Sequence, residues 1–131
     1  MVIRREQYAA FTAQAEHNFE QAVLRMLRDS HATCVAEYPD DRLLLLVRAA
    51  IARARRIGLT IQSSIGLYIA LMFEIAPNFD ESAAIRRILL DPTSTPDLQI
   101  GYLAALVSSD DWRAAELAAD RAFWYRVLSA A

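Results

Sequence analysis

Two pairs of side chains in this sequence have residue types and a spacing that could support chemistry. The first pair, His17 and Glu20, is three positions apart on a predicted helix, where both side chains would share a face. Di-iron helical bundles use Glu-x-x-His in two copies with further glutamates, whereas this chain has one copy in the reverse order. A solvated polar face therefore explains the pair better than a metal site.

The second pair, His31 and Cys34, lies in the weakly patterned stretch 30–38. A thiol nucleophile needs a base within hydrogen-bonding reach and a third group that orients this base. Cys34 is the only cysteine, and a small buried hydrophobic residue is its simpler interpretation. The three glycines are isolated and form no phosphate-binding loop. We therefore predict a protein that is not an enzyme, with no catalytic residue, no metal and no cofactor.

The charge pattern argues against nucleic acid and membranes as partners. All 14 basic residues are arginine, yet the net charge is -2, so the chain has no general basic field. Several arginines lie between Arg42 and Arg56, but a binder of single-stranded nucleic acid also needs aromatic stacking platforms, which this segment lacks. A solvated helix end that complements the helix dipole is the favoured interpretation.

The elements that would position these residues are helices. Hydrophobic residues make up 55% of the 131 residues, with only 3 glycines and 4 prolines, which favours a single all-α domain over residues 1–131. We expect a compact bundle of five to six helices around a central, nearly uncharged helix at about 61–75. The predicted helices are 4–29, one that starts after Tyr38 and runs to Arg56 with Gly58 as its stop, 61–75 after a Thr60 cap, a short one to Leu90 capped by Asp80 or Ser82, 97–107 after Thr95 and Pro96, and 112–129. The stretch 30–38 is either a connector or a short helix.

The last predicted helix has two apolar faces where a terminal helix usually buries one. One face is rich in alanine, and the other is aromatic with interspersed charges, a composition typical of interfaces. Self-association or partner binding on the aromatic face and burial of both faces remain equal alternatives. The candidate partner-binding residues are Trp112, Phe123, Trp124, Val127, Arg113, Glu116 and Asp120. On this hypothesis, aspartate at Trp124 and Val127 would weaken partner binding and leave the melting temperature nearly unchanged.

Three segments between positions 51 and 80 resemble a known family. They are the arginine-alanine helix 51–59 that ends at a glycine, the Tyr-Ile-Ala-Leu-Met-Phe run 68–73, and the Pro-Asn-Phe-Asp turn 77–80. Together they resemble small helical proteins encoded beside type VI secretion spike, PAAR and effector genes in Gram-negative bacteria. The family has no catalytic motif to transfer, and the resemblance implies an accessory role in loading a secreted toxin.

The expected function is that of a helical adaptor or co-chaperone that binds a secreted effector, a toxin or a spike component. The alternative is an immunity protein, which would neutralise a toxin by direct binding. A homo-oligomer is a further option. The N-terminal residues lack the apolar core of a signal peptide, and the uncharged stretch 57–73 is too short in its apolar part to span a membrane. We therefore expect a cytoplasmic protein.

Overall fold

A computed structural model describes residues 4–131, and every regular element in this range is a helix. The predicted all-α fold is confirmed. The helices are α1 (Arg5–Ser30), α2 (Ala32–Val35), α3 (Asp40–Arg56), α4 (Gln62–Glu74), α5 (Ala83–Leu89), α6 (Pro96–Gln99), α7 (Leu103–Leu106), α8 (Ser109–Leu117) and α9 (Phe123–Ala130), with 3₁₀ helices at Phe79–Glu81 and Ile100–Tyr102.

The three longest helices, α1, α3 and α4, begin and end within one or two residues of the predicted positions. Asp40 and Asp41 place negative charge in the first turn of α3, where the helix dipole favours it. Gly58 has a φ of 105°, a left-handed conformation that costs glycine little, so the chain turns there just after α3 ends. The short α2 resolves the open question about the stretch 30–38.

Helix α4 is the centre of the molecule, as its uncharged sequence predicts. Most of its circumference is buried, including the side chains of Tyr68, Ile69 and Met72. The facing residues of α3 and the second half of α1 complete this core. They are Leu43, Leu46, Val47, Ala50, Ile51 and Ala54 from α3, and Phe19, Val23 and Leu27 from α1.

The first three turns of α1 extend beyond this core. Glu16 accepts hydrogen bonds from Arg55, and Glu20 accepts one from Arg48, so α1 runs antiparallel to α3. The turns before Glu16 therefore continue past the C-terminal end of α3, and every residue in 5–15 is exposed. We call residues 5–15 the arm.

The prediction that Thr60 caps α4 is wrong. Ile61 occupies the cap position, and Thr60 instead donates from its hydroxyl and its backbone amide to the carboxylate of Asp97. The same carboxylate accepts the amide of Ile61 at 3.0 Å. A side chain from α6 thus accepts the backbone amides of the two residues that lead into α4, which local sequence does not reveal.

Two of the predicted helices are interrupted. The first, at 97–107, forms α6, a 3₁₀ turn and α7, and Gly101 in the middle of it lowers the helical propensity there. Thr95 does cap α6, since its hydroxyl accepts the amide of Leu98. Asp80 lies in a 3₁₀ helix, and Ser82 holds the cap position of α5 without a side-chain hydrogen bond.

The second interrupted helix is the last one, which is α8 and α9 rather than a single helix. The side chain of Asn78 reaches the break: its oxygen accepts the amide of Asp120 at 2.8 Å, and its nitrogen donates to the carbonyl of Ala118 at 3.2 Å. Asn78 thereby replaces the hydrogen bonds that a continuous helix would make. The cap of α8 is Ser108, whose hydroxyl accepts the amide of Asp111.

The length and hydropathy of the helices also bear on membranes. Within residues 4–131, no helix combines the length and the apolar character that crossing a bilayer requires.

Candidate functional site

The most deeply buried charged group in this structure is the ion pair between Arg53 of α3 and Asp80. The Arg53 guanidinium donates to Asp80 at 2.8 Å and to the Tyr68 hydroxyl at 3.1 Å. Glu81 lies 3.5 Å from the same guanidinium, and the ring of Phe123 lies beneath it, with its centroid 5.5 Å from the central carbon. The cluster therefore joins α3, α4, the 3₁₀ helix after α4 and α9.

Burial and pairing have opposite effects on the charge of Arg53. Burial opposes the charged form, but the hydrogen bond and charge of Asp80 outweigh it, so the pKa of Arg53 is raised. The pKa of Tyr68 is also raised, first because its phenol is buried and second because Asp80 disfavours a phenolate nearby. Tyr68 thus stays a neutral hydroxyl and Arg53 stays a cation at every physiological pH, so neither is suited to proton transfer.

Arg53, Tyr68 and Asp80 come from the three segments that carry the family resemblance. In space they meet and fix one helix against another, which is a structural role. The sequence-based interpretations of Arg53 as a dipole-complementing residue and of Asp80 as a helix cap missed this pair. A buried carboxylate has no local sequence signature, and its partner lies 27 positions away.

His31 and Cys34 do not form a nucleophile-base pair here, because each of them is hydrogen-bonded to Glu74. The imidazole Nδ1 of His31 is 2.6 Å from a carboxylate oxygen of Glu74. The pKa of Cys34 is raised, first by burial and then by the hydrogen bond and charge of Glu74. The pKa of Glu74 is lowered by its hydrogen bonds to His31 and Cys34. The thiol is therefore protonated at neutral pH and is a poor nucleophile.

The His17 and Glu20 pair has a simple geometry. His17 is exposed, and Glu20 accepts Arg48 at 3.2 Å across the contact between α1 and α3. Over the part of the chain that the structure describes, no three side chains of His, Cys, Asp or Glu are grouped so that they could hold a metal ion.

The structure divides the seven candidate partner-binding residues into two groups by burial, one apolar and one charged. The four apolar members, Trp112, Phe123, Trp124 and Val127, are partly buried and pack against the core. The ring of Trp124 stacks on Phe73 of α4, with centroids 4.5 Å apart. The aromatic face is therefore largely turned inward, and the alanine face is divided, with Ala115 buried and Ala118 exposed. The partner-binding role of these residues stays a prediction.

The three charged members lie nearer the surface. Arg113 and Glu116 are exposed, and Asp120 accepts hydrogen bonds from Arg126 in α9. The hydrogen bond and the charge of Arg126 lower the pKa of Asp120 despite some opposing desolvation. This pair connects the break at 118–122 to α9.

A cleft of about 540 Å³ lies between α4 and α8. Its apolar wall consists of Leu71, Ile75 and Trp112, and Ala104 of α7 adds a small side chain that leaves room for an occupant. Its rim carries Ser109, Arg113 and Glu116, so three of the seven candidate residues line one depression. The cleft can accept an apolar side chain or a short helix, but it has no buried polar group to orient a small substrate.

A second surface feature was not anticipated from the sequence. Leu98 of α6, Tyr102 of the following 3₁₀ helix and Leu106 of α7 are spaced four residues apart, and they are 61%, 53% and 58% exposed. The opposite side of the same segment supplies Ile100 and Leu103 to the core. We call the three exposed residues the α6–α7 stripe.

Comparison with other proteins adds no further assignment: no protein-family model, no curated protein and no solved structure matches this chain.

Proposed function

We propose that this protein is a non-enzymatic helical adaptor or co-chaperone that binds a secreted effector or toxin, of the kind encoded beside type VI secretion genes. The observation that carries the proposal is the α6–α7 stripe. Large apolar side chains that recur every three or four residues on the exposed side of a helical segment are typical of the ridge by which such a segment docks on a protein partner, here across α6, the 3₁₀ turn and α7. Over a segment of this length the ridge is about 12 Å long.

The α6–α7 stripe supports an adaptor function better than an enzymatic one. Contiguous apolar patches on a soluble surface mark interaction sites because exposing them to water is unfavourable. By contrast, the residues whose types could support catalysis or metal binding are engaged in contacts within the chain. Glu74 keeps Cys34 in its protonated thiol form, and Glu20 is paired with Arg48.

The immunity alternative depends on a charged face that would block the active-site cleft of a toxin. A charged face of this kind would need unpaired charges, and α3 carries five arginines. Three of them are paired with carboxylates of this same chain, Arg48 with Glu20, Arg53 with Asp80, and Arg55 with Glu16. The neutralised charges leave the apolar stripe as the stronger basis for binding, which favours an adaptor.

The test is affinity capture from the native cell extract with the wild-type chain and with a variant in which Leu98, Tyr102 and Leu106 are serine. The matched control carries Leu117→Ser, since Leu117 is 76% exposed but lies in α8. We expect a secreted or toxin-like protein near one-to-one stoichiometry with wild type and control, reduced roughly tenfold or more with the stripe variant. Equal capture by all three would contradict the proposal.

The activity of the captured protein separates the two functions. An adaptor leaves the toxin active in the complex, whereas an immunity protein abolishes its activity at a one-to-one ratio. The circular dichroism spectra of the three chains must agree, since the replaced side chains are already exposed.

A further inference from the structure

The arm carries aromatic side chains that nothing in the described chain covers. Tyr8 is 64% exposed and Phe11 is 73% exposed, and they lie three positions apart on one side of α1 together with Ala15. Helices are stable in water mainly when an apolar face packs against another surface. Three turns of helix with two exposed aromatic residues therefore point to a surface that they contact.

The cleft between α4 and α8 matches the arm in chemistry. Its wall of Leu71, Ile75 and Trp112 is apolar and suits an aromatic side chain. The cleft itself is lined by one anion, Glu116, and one cation, Arg113, and two further carboxylates, Asp110 and Asp111, follow its rim residue Ser109 in the first turn of α8. The start of the arm carries Arg5 and Glu6, and Arg4 directly precedes it, so with the positive end of the helix dipole it has a net positive charge that complements Asp110 and Asp111.

The cleft belongs to the opposite end of the molecule from the arm. The arm continues past the end of α3, which is also the end at which α4 begins. Leu71 and Ile75 lie at the other end of α4, and the 13 residues of that helix span about 20 Å. The arm of one chain points away from its own cleft, so the occupant must come from another molecule.

A two-fold axis perpendicular to the long helices would bring each arm to the cleft of the other molecule. Such an axis places the arm end of one molecule beside the cleft end of the other, and it does so for both molecules at once. A fully buried aromatic side chain removes roughly 150–250 Å² from water, so one arm in one cleft is no larger than a crystal contact. Two such contacts bring the total to about 1,000 Å², which is the size that specific interfaces need.

We propose that two copies of this chain form a symmetric dimer in which each inserts Tyr8 and Phe11 of its arm into the cleft between α4 and α8 of the other. The α6–α7 stripe takes no part in this contact. The dimer is thus independent of the proposed adaptor function, and either proposal can fail without the other.

The first experiment measures mass in solution by sedimentation equilibrium for the wild type and for a Tyr8→Asp, Phe11→Asp variant. We expect a wild-type mass of twice the 14.7 kDa chain and a monomeric variant, with the dissociation constant raised roughly 100-fold or more. Tyr125→Asp is the matched control, because Tyr125 is 74% exposed on α9 and should leave the dimer intact. A monomeric wild type, or a variant that still dimerises, would overturn the proposal.

The second experiment identifies the occupant of the cleft. Two chains are prepared in a Cys34→Ser background, one with Thr12→Cys in the arm and one with Ala104→Cys in the cleft. Oxidation of the mixture should give a disulfide-linked heterodimer, while each chain alone should stay largely unlinked. Efficient linking of the Thr12→Cys chain with itself would show that the arms pair with each other, and absence of linking in the mixture would show that the cleft is empty; both results contradict arm exchange.

Discussion

Arg53 connects more elements than any other charged side chain discussed above. It belongs to α3, its two hydrogen-bond acceptors belong to α4 and the following 3₁₀ helix, and the ring beneath it belongs to α9. A charge removed from water in this way is tolerated only while its partner is present, because desolvation costs several kcal/mol per ion. Only an arrangement of the helices that brings Asp80 to Arg53 leaves neither buried charge unpaired.

Removing Asp80 tests this role of the buried pair. Asp80→Ala leaves the Arg53 guanidinium with only the more distant and exposed carboxylate of Glu81, and we expect the free energy of unfolding to fall by about 3 kcal/mol. The loss lies at the lower end for buried pairs because the side chain of Arg53 is 17% exposed. Urea denaturation of the variant measures it. The double variant Arg53→Met, Asp80→Ala should be more stable than Asp80→Ala alone, and a double variant that is still less stable would contradict the argument.

Cys34 provides a second test at the scale of single residues. Burial and the Glu74 carboxylate both raise the pKa of its thiol, so alkylation at pH 8 should be slower than that of a free cysteine. Glu74→Gln removes the negative charge, and we expect the alkylation rate to increase several-fold through a lower thiol pKa. Measuring the alkylation rate against pH distinguishes a lowered thiol pKa from greater exposure of the thiol. Greater exposure alone raises the rate at every pH without moving the midpoint of the titration curve. An unmoved midpoint would contradict the role given to Glu74.

At the scale of elements, α9 is held by side chains for which the sequence left partner binding and burial as equal alternatives. Phe123 lies under Arg53 and Trp124 stacks on Phe73, so this short helix depends on two aromatic contacts. Aspartate at Trp124 and Val127 is therefore expected to lower the melting temperature, not to leave it nearly unchanged.

The neighbouring residues Trp124 and Tyr125 provide a matched comparison on α9. Trp124→Asp places a charge against Phe73 and removes the stacked ring, so we expect a loss of about 2–3 kcal/mol in unfolding free energy. Tyr125→Asp changes a side chain that is 74% exposed and should alter stability by less than about 0.5 kcal/mol. Thermal unfolding followed by circular dichroism measures both. Equal stability of the two variants would mean that α9 does not dock as described.

The long helices were predictable because each signal was local and repeated. In α3, the acidic first turn, the apolar periodicity and Gly58 at the end all agree, and in α4 the uncharged composition alone indicates a central position. These features act within a few residues of where they are found, so a sequence displays them directly.

The remaining features depend on residues that are distant in sequence. Asn78 interrupts the last helix 40 residues away, and no glycine or proline marks the break. Asp97 satisfies the start of α4 from a position 36 residues later. The charge and polarity of each residue are visible in the sequence, but its partner depends on how the helices pack. For this reason the predicted interface included side chains that are partly buried in the fold.

At the scale of the whole molecule, the two proposed binding surfaces are separate. The α6–α7 stripe lies on the outer side of a segment whose inner side is core, whereas the arm and the cleft lie at opposite ends of the helices. A dimer that uses arms and clefts therefore engages other side chains than those of the stripe, since α7 contributes only Ala104 to the cleft. Each dimer would then offer two equivalent surfaces to an effector, and the two contacts would strengthen each other if both engage one partner.

Stability in acid is a property of the whole molecule, because carboxylates in several parts of the fold have pKa values below their usual range. These groups are Glu16, Glu74, Asp91, Asp97 and Asp120. For Asp97, desolvation opposes the shift, but the hydrogen bonds from Thr60 and Ile61 outweigh it. A carboxylate whose pKa is lower in the folded state stabilises the fold above its unfolded pKa, and this stabilisation is lost as pH falls through the folded pKa.

The expected result is a melting temperature that is nearly constant from neutral pH to about pH 5 and falls steeply between about pH 5 and pH 3. Asp97→Asn is the informative variant, because an amide retains the shape of the side chain but has no charge to lose. It should melt below wild type at pH 7, since the start of α4 loses a charged acceptor, and the difference should narrow as the pH approaches 3. Scanning calorimetry across this range measures both trends. A difference that stays constant with pH would show that Asp97 acts through shape alone, and the ionised carboxylate would then not be what connects α6 to the central helix.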